Sequence, residues 1–365
     1  MESVTMNNEP ICISDFEMLA KERLPKAVFD YYASAANDKQ TLFKSTAAFK
    51  RLRLLPRILR NVSSVDMSTS ILGEKIDVPF CIAPTAMHKL AHPDGEIGTA
   101  KASSRIGTCM TLSSWSFTSL EDVAANTEGL KWFHTDILVD RNAMASVIRR
   151  AEASGYKAIV LTADMPICGK RHNDIRCQFT VPPLPNFKKV FESRNMTKVG
   201  PSNIDEVHDP SATWDTVIPW LKSITSLSVV MKGILTGEDA KLAVKYGVDG
   251  IIVSNHGGRQ LNGVPATIEV LPSIVSAVGH DIEVYLDGGI RFGSDIFKAL
   301  ALGARAVFIG RPILWGLAHQ GEEGVYRVLQ IFKEELKITM ALCGCASLGD
   351  IVKEMVVRES CIVPI

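Results

Sequence analysis

The segment Ser254-Asn255-His256-Gly257-Gly258-Arg259-Gln260 follows the apolar run Gly250-Ile251-Ile252-Val253. An imidazole and a guanidinium three residues apart, where a buried strand ends, could move a proton and hold an anion. Imidazole accepts a proton near neutral pH. A guanidinium grips a carboxylate through two parallel hydrogen bonds. The glycines between them let a ligand approach the backbone. A histidine alone in such a segment reads more readily as a core side chain in a polar loop. The other strand ends raise it above that. They bring Asp164 after Ala158–Thr162, with Lys170-Arg171 beyond, Lys232 after Ser228–Met231, Asp287-Gly288-Gly289-Ile290-Arg291, and Gly310-Arg311.

These groups suit two-electron oxidation of a 2-hydroxy acid. His256 is the candidate base, and Asp164 would orient it or stabilise its imidazolium. Arg259 and Arg171 would clamp a carboxylate. Lys232 would stabilise negative charge on a reduced isoalloxazine; a lysine paired with a buried carboxylate is the plain alternative. For Asp164 the alternative is a helix cap. Glycine–arginine ends on two adjacent strands resemble a phosphate site, because exposed backbone N–H groups and helix starts attract anions. No G-x-G-x-x-G follows a strand and no Walker loop is present, so a nicotinamide or nucleoside triphosphate has no motif to bind. A phosphorylated flavin, FMN, fits.

The elements that must position these residues alternate. Apolar runs at Val78–Ala83, Thr108–Ser113, Leu130–Thr135, Ala158–Thr162, Ser228–Lys232, Gly250–Ser254, Glu283–Asp287 and Ala306–Ile309 predict strands. Helical patterns fall between them at Glu96–Ile106, Leu120–Asn126, Arg141–Ala153, Trp214–Ile224, Glu238–Tyr246, Ile268–Val278 and Gly293–Leu302, and an eighth runs over Glu322–Leu342. Near-continuous apolar strands joined by helices imply a parallel sheet covered on both faces. Eight units imply an α/β protein with a closed (β/α)8 TIM barrel, whose chemistry gathers at the C-terminal strand ends. A doubly wound open sheet is the alternative. Helical patterns over Ile13–Leu24, from Pro25 towards Ala36, and from Thr41 to about Arg53 predict an N-terminal helical cap. The expected organisation is one domain: cap 1–77, barrel 78–349, tail 350–365. The connection Pro166–Ala212, after strand four, is long, rich in proline and weakly periodic, as lids and mobile loops are.

Composition bounds the partners. Lys plus Arg and Asp plus Glu number 40 each, and 46% of residues are apolar. Neither a nucleic-acid surface nor an acidic tail is expected. No apolar run is long enough to span a bilayer, and Met1–Pro10 has no signal-peptide core. The eight cysteines lack metal-ligand spacing with histidine, so reduced thiols and no metal are expected.

With the motifs in this order, the sequence resembles the FMN-dependent 2-hydroxy-acid oxidase family of the plant glycolate oxidase type. The resemblance runs from about Ile13 to Gly349. It is carried by Leu24-Pro25-Lys26, Asp30-Tyr31-Tyr32, Ala83-Pro84-Thr85-Ala86-Met87, Leu112-Ser113-Ser114-Trp115, Lys232-Gly233, Ser254 to Leu261, Asp287 to Arg291, and Ile309-Gly310-Arg311-Pro312. It implies oxidation of a short (S)-2-hydroxy acid to the 2-oxo acid, with dioxygen reduced to hydrogen peroxide. It implies that His256 takes a proton while electrons pass to the flavin, with Lys232 near the flavin N1/O2 edge. Tyr31, Trp115, Arg171 and Arg259 would contact substrate. Ala83, Pro84, Thr85, Ala86, Ser113, Thr162, Ser254, Asp287, Gly289, Arg291, Gly310 and Arg311 would hold FMN. It further implies a homo-tetramer or homo-octamer and a peroxisomal location. The final Val363-Pro364-Ile365 does not match a peroxisomal tripeptide, which leaves the cytoplasm as the alternative.

Two departures bear on the chemistry. Where the family has Phe-Gln-Leu-Tyr, this chain has Phe133-His134-Thr135-Asp136. His134 replaces a glutamine expected to hydrogen-bond the flavin, and an imidazole can make one such bond. Asp136 replaces a tyrosine expected to contact substrate and places an anion there. It is expected to repel a substrate carboxylate or to pair with Arg171 or Arg259 and block the clamp. Ala35 in place of glycine, Cys168 in place of a larger apolar residue, and a slightly short Pro166–Ala212 loop are lesser departures. Alternative readings are a flavin-binding pseudoenzyme silenced by Asp136 and His134, and a flavin dehydrogenase with an acceptor other than oxygen.

Overall fold

The strands need neighbours on both edges and cover on both faces, and closure into a barrel supplies both. The computed structural model describes residues 9–200 and 203–362; the readings made on Met1–Asn8 and on Val363–Ile365 lie outside these. Eight parallel strands close a barrel: β1 (Phe80–Ile82), β2 (Met110–Ser113), β3 (Lys131–Asp136), β4 (Ala158–Thr162), β5 (Ser228–Ile234), β6 (Gly250–Val253), β7 (Glu283–Asp287) and β8 (Val307–Ile309). Val307 pairs with Phe80 to complete the ring. Several strands are shorter than their apolar runs, because residues at the runs' ends already turn into loops.

Side chains alternate along the strands, as the period of two requires. Cys81, Trp132, Val160, Val230, Ile252, Tyr285 and Phe308 point into the barrel. Phe80, Ile82, Phe133, Ile159, Leu161, Val229 and Ile251 point out to the helices. Trp132 lies with its ring centroid 5.6 Å from both Tyr285 and Phe308. These rings fill the lower interior, and a hairpin, Thr69–Ile71 with Glu74–Ile76, adds Ile71 and Ile76 beneath them. A barrel plugged from below leaves open space only at the C-terminal strand ends.

Three helices form the cap: α1 (Ile13–Arg23), α2 (Lys26–Ala33) and α3 (Gln40–Lys50). The outer ring is α4 (Gly95–Ile106), α5 (Leu120–Asn126), α6 (Arg141–Ala153), α7 (Trp214–Ile224), α8 (Gly237–Lys245), α9 (Thr267–Val278), α10 (Gly293–Ala301) and α11 (Arg311–Leu342). The last is longer than the expected Glu322–Leu342. It starts at Arg311, directly after β8, and breaks at Gln320 and Gly321, where the backbone is not helical. The expected helix is its second half. Phe29 of α2 stacks on Trp315 of α11 at 5.3 Å, and the Ala36 N–H donates to the Gly258 carbonyl. The cap therefore sits over the barrel mouth. The segment treated as a tail is partly ordered: Val356–Arg358 pairs antiparallel with Leu52–Leu54.

The Pro166–Ala212 connection carries short helices at His172–Arg176 and Lys188–Ser193. It is pinned at its far end by a bridge between His208 and Leu138. All eight cysteines are free thiols. Among the described residues no helix is long and apolar enough to cross a membrane.

Candidate active site

One cavity opens at the C-terminal ends of the strands. It is lined by residues from every strand end, with Met165 and Arg171 following β4 while Asp164 stands behind His256, and it is roofed by α2 and the long connection. His256 sits at its centre. Its backbone is in the left-handed region, φ 56°, uncommon for a residue with a side chain. Such strain persists only where surrounding bonds enforce it. Here the His256 N–H donates to Ser254 Oγ at 3.1 Å and the Arg259 N–H donates to the His256 carbonyl at 3.2 Å.

The ring's Nδ1 lies 3.0 Å from Asp164 Oδ1. A carboxylate only accepts, so Nδ1 carries the proton and Nε2 is left with a lone pair. Burial, then the charge of Lys232, lowers the His256 pKa to about 4, against the pull of Asp164. The ring is therefore a neutral base at pH 7. Asp164 does not line the cavity; it acts through His256. Burial alone would raise its pKa, but the interaction with His256, whose Nδ1–H it accepts, and the charge of Lys232 outweigh this and hold it below the ordinary value.

Lys232 is aimed by a bulge. The β5–β6 register shifts between Lys232 and Ile234, and Gly233 at φ 109° faces Asp164 so closely that an added Cβ would stand 2.7 Å from the Asp164 Cβ. Only glycine allows that approach. Lys232 Nζ lies 3.9 Å from Asp287 Oδ2. Burial raises the Asp287 pKa even so.

The arginines converge beside this base. Arg259 NH1 donates to the Tyr31 carbonyl at 2.8 Å and to Ser34 Oγ at 2.9 Å. Its guanidinium lies 4.9 Å from the Tyr31 ring centre. Arg171 NH2 donates to Gln260 Oε1 at 3.2 Å. Asp174 stands between the two, 3.8 Å from Arg171 and 3.9 Å from Arg259. No sequence motif marked Asp174; it comes from a one-turn helix inside the long connection. Tyr31 stacks on Phe179 of the same connection at 4.2 Å. A second chamber adjoins the first under this connection. It shares Tyr31, Met87, Trp115, Arg171 and Ile204, and Cys168 is in its wall.

The opposite end is a glycine- and arginine-lined cradle of the kind that suits an anion. Gly288, Gly289, Gly310, Arg291 and Arg311 line it. Gly289, φ 79°, packs so tightly that a Cβ would stand 2.3 Å from the Ser45 carbonyl. Burial, then the neighbouring Arg259 and Arg291, pushes the Arg311 pKa down to about 9. Cations crowded this closely call for an anion. Ala83, Pro84, Thr85, Ala86, Ser113 and His134 line the wall between cradle and base. His134 Nδ1 and Asp287 Oδ1 are buried with no protein partner. Unsatisfied buried polar atoms facing one cavity fit a flavin with a polar edge. Two expected cofactor contacts stand one layer back. Thr162 bonds His134 Nε2 at 2.5 Å, and Ser254 holds the His256 backbone.

Asp136 does not pair with the arginines and block the clamp, one of the two outcomes expected of it. It meets neither Arg171 nor Arg259, whose contacts go to Asp174, Gln260, Ser34 and backbone. It is 2% exposed and accepts from Trp115 Nε1 at 2.5 Å. His208 Nε2 lies 3.5 Å from Oδ2, and His134 Nε2 lies 3.4 Å from Oδ1. Burial alone would raise its pKa; the two histidines reverse this and hold it well below the ordinary carboxylate value. The clamp stays open because the aspartate has its own partners. His208 belongs to no motif. It reaches Asp136 because residues 207–209 run beside 137–139, with the Val139 N–H on the Val207 carbonyl and the Asp209 N–H on the Ile137 carbonyl.

A barrel with a phosphate cradle after strands seven and eight and a His–Asp pair at strand six is the frame of a flavin-dependent oxidoreductase. The family described as FMN-dependent dehydrogenase matches residues 20–358, and the chain belongs to it. The chain is 50% identical over 357 residues to 2-hydroxyacid oxidase 1 of Mus musculus, covering 95% of this chain and 96% of that protein. It is 49% identical over 354 residues to glycolate oxidase of Spinacia oleracea, covering 95% of each. A crystal structure of mandelate oxidase with (S)-4-hydroxymandelic acid superposes with a TM-score of 0.89 at 39% identity, covering 94% of this chain and 98% of that one.

Proposed function

We propose that this single-domain protein oxidises a short (S)-2-hydroxy acid to the 2-oxo acid, with dioxygen as oxidant and hydrogen peroxide as product. The observation that carries the reading is the neutral His256, backed by Asp164, in one cavity with Arg171 and Arg259. Arg259, Arg171 and Tyr31 bind the substrate carboxylate and bring its hydroxyl to His256 Nε2. That nitrogen takes a proton, and Asp164 stabilises the imidazolium through Nδ1. When bound, FMN supplies the two-electron acceptor. Arg291, Arg311, Gly289 and Gly310 would hold its phosphate, and His134, Ser113 and Lys232 its ring. Trp115 lines both chambers and so bears on chain length.

The relatives named oxidases support dioxygen as acceptor. The exposed apolar residues Leu55, Ile58, Leu59 and Leu342 support a homo-oligomer, tetramer or octamer, which light scattering would size. A peroxisomal site of action, with the cytoplasm as alternative, follows the family resemblance and is tested by fractionation. The activity is tested anaerobically. Glycolate, then longer 2-hydroxy acids, should bleach the oxidised flavin band, and air should restore it with peroxide release. A bound flavin that no hydroxy acid bleaches would overturn the proposal in favour of a pseudoenzyme. Bleaching that air does not reverse would favour another acceptor.

A further inference from the structure

Asp136 faces the substrate cavity, yet it is a buried carboxylate in a pocket read here as binding a carboxylate. Its partner His208 is fully buried and lies against Trp115, ring centres 5.9 Å apart. His208 Nδ1 is 3.0 Å from the Ile204 carbonyl. A carbonyl only accepts, so Nδ1 holds a proton. Nε2 faces Asp136 Oδ2, which accepts as well. Two lone pairs in contact would repel, so a second proton lies between ring and carboxylate.

We propose that His208 is a positioning residue for substrate binding: it holds this proton and cancels the charge of Asp136, so that an anionic substrate meets a neutral wall. The inference rests on the reading that the substrate is a carboxylate. Other charged groups surround the pair. His134 touches Asp136 from β3. Asp164 acts on it from the end of β4. Lys232, His256 and Arg171 line the same cavity. Asp205 lies on the connection near His208 and belongs to the adjoining chamber. Of the groups near Asp136, Trp115 is a neutral donor, and His134 Nε2 bonds Thr162 at 2.5 Å while standing 3.4 Å from Asp136 Oδ1, which has no hydrogen-bond partner. His208 has no second partner for Nε2.

Oxalate tests this in the flavin-loaded enzyme, since it has two carboxylates and no oxidisable C–H bond. His208→Gln should weaken oxalate binding, measured by calorimetry, at least about tenfold, because it leaves an uncompensated charge in a low-dielectric site. KM for a hydroxy acid should rise in parallel and more than kcat falls. Asp136→Asn combined with His208→Gln should return oxalate affinity to within about threefold of wild type, since neither charge remains. Unchanged affinity in His208→Gln, or a double variant as weak as the single, overturns the proposal. If His208→Gln does not fold, oxalate affinity is compared between wild type and Asp136→Asn, which removes the carboxylate charge and keeps the side-chain shape. Asp136→Asn should stay within about threefold of wild type, because the charge it removes is already cancelled, and a gain of about tenfold or more overturns the proposal. Absence of turnover with the expected oxalate pattern would refute the oxidase reading alone. Turnover with unchanged oxalate binding in His208→Gln would refute this inference alone.

Discussion

Replacing Asp164 by asparagine keeps the shape of the side chain and removes one charge. The perturbed contact is His256 Nδ1 to Asp164 Oδ1, 3.0 Å in the structure. As His256 takes the substrate proton it becomes a cation, and Asp164 stabilises that cation more than it stabilises the neutral ring. Two unit charges with centres about 4 Å apart interact by about 4 kcal/mol at an effective dielectric of about 20. Both side chains keep some solvent contact, 21% and 16% exposed, and asparagine still accepts a hydrogen bond. About 2–3 kcal/mol of transition-state stabilisation should therefore be lost. At about 1.4 kcal/mol per decade, kcat/KM falls roughly 30- to 150-fold. The assay is the rate of anaerobic flavin bleaching against glycolate concentration, with flavin content measured alongside. A variant that holds its flavin and stays within about threefold of wild type would refute the role of Asp164.

Further perturbations probe other parts of the site. Because His256 is held at about 4 and works as a neutral base, kcat/KM should stay level as pH drops through 6.5 and decline only on approach to 4; a decline centred at 6.5 or above in a pH–rate profile contradicts this. Arg259→Lys cannot both bond the Tyr31 carbonyl and grip a carboxylate, so KM should rise about ten- to a hundredfold with a smaller loss in kcat, and steady-state kinetics that show the reverse split would refute the clamp. Gly289→Ala sets a methyl against Ser45 at positive φ, which should destabilise by about 2–4 kcal/mol. Scanning calorimetry should show a lower Tm and weaker flavin retention, and an unchanged Tm would mean that α3 moves aside freely.

The barrel was legible because a buried parallel strand has to be apolar throughout and its helices have to be amphipathic. The order Ala158–Thr162, Ser228–Lys232, Gly250–Ser254 writes both rules into local sequence. The phosphate end was legible for a related reason: Gly289 and Gly310 lie next to arginines on adjacent strands. What stayed hidden depends on chain crossings. His208 and Asp174 lie on a proline-rich connection, and nothing within a few residues of either shows what it will face. Asp136 looked like an obstruction because its partners, Trp115 and His208, stand 21 and 72 residues away. The three-residue pairing of Leu52–Leu54 with Val356–Arg358 is too short to leave a period, and the break at Gln320 hid the first half of α11.

That terminal pairing sets an order of events on the ribosome. Leu52 meets Arg358 across most of the chain, and β1 cannot close against β8 before Val307 has been made. The cap helices emerge before the barrel, yet the last of their partners follows it. Tyr31 and the cavity it covers are therefore assembled late. Until then Phe16 and Phe49, buried in the finished protein, and the half-buried Phe29 have no surface to rest on. The nascent chain thus carries an uncovered aromatic-rich segment until the barrel is complete, the kind of segment that chaperones shield.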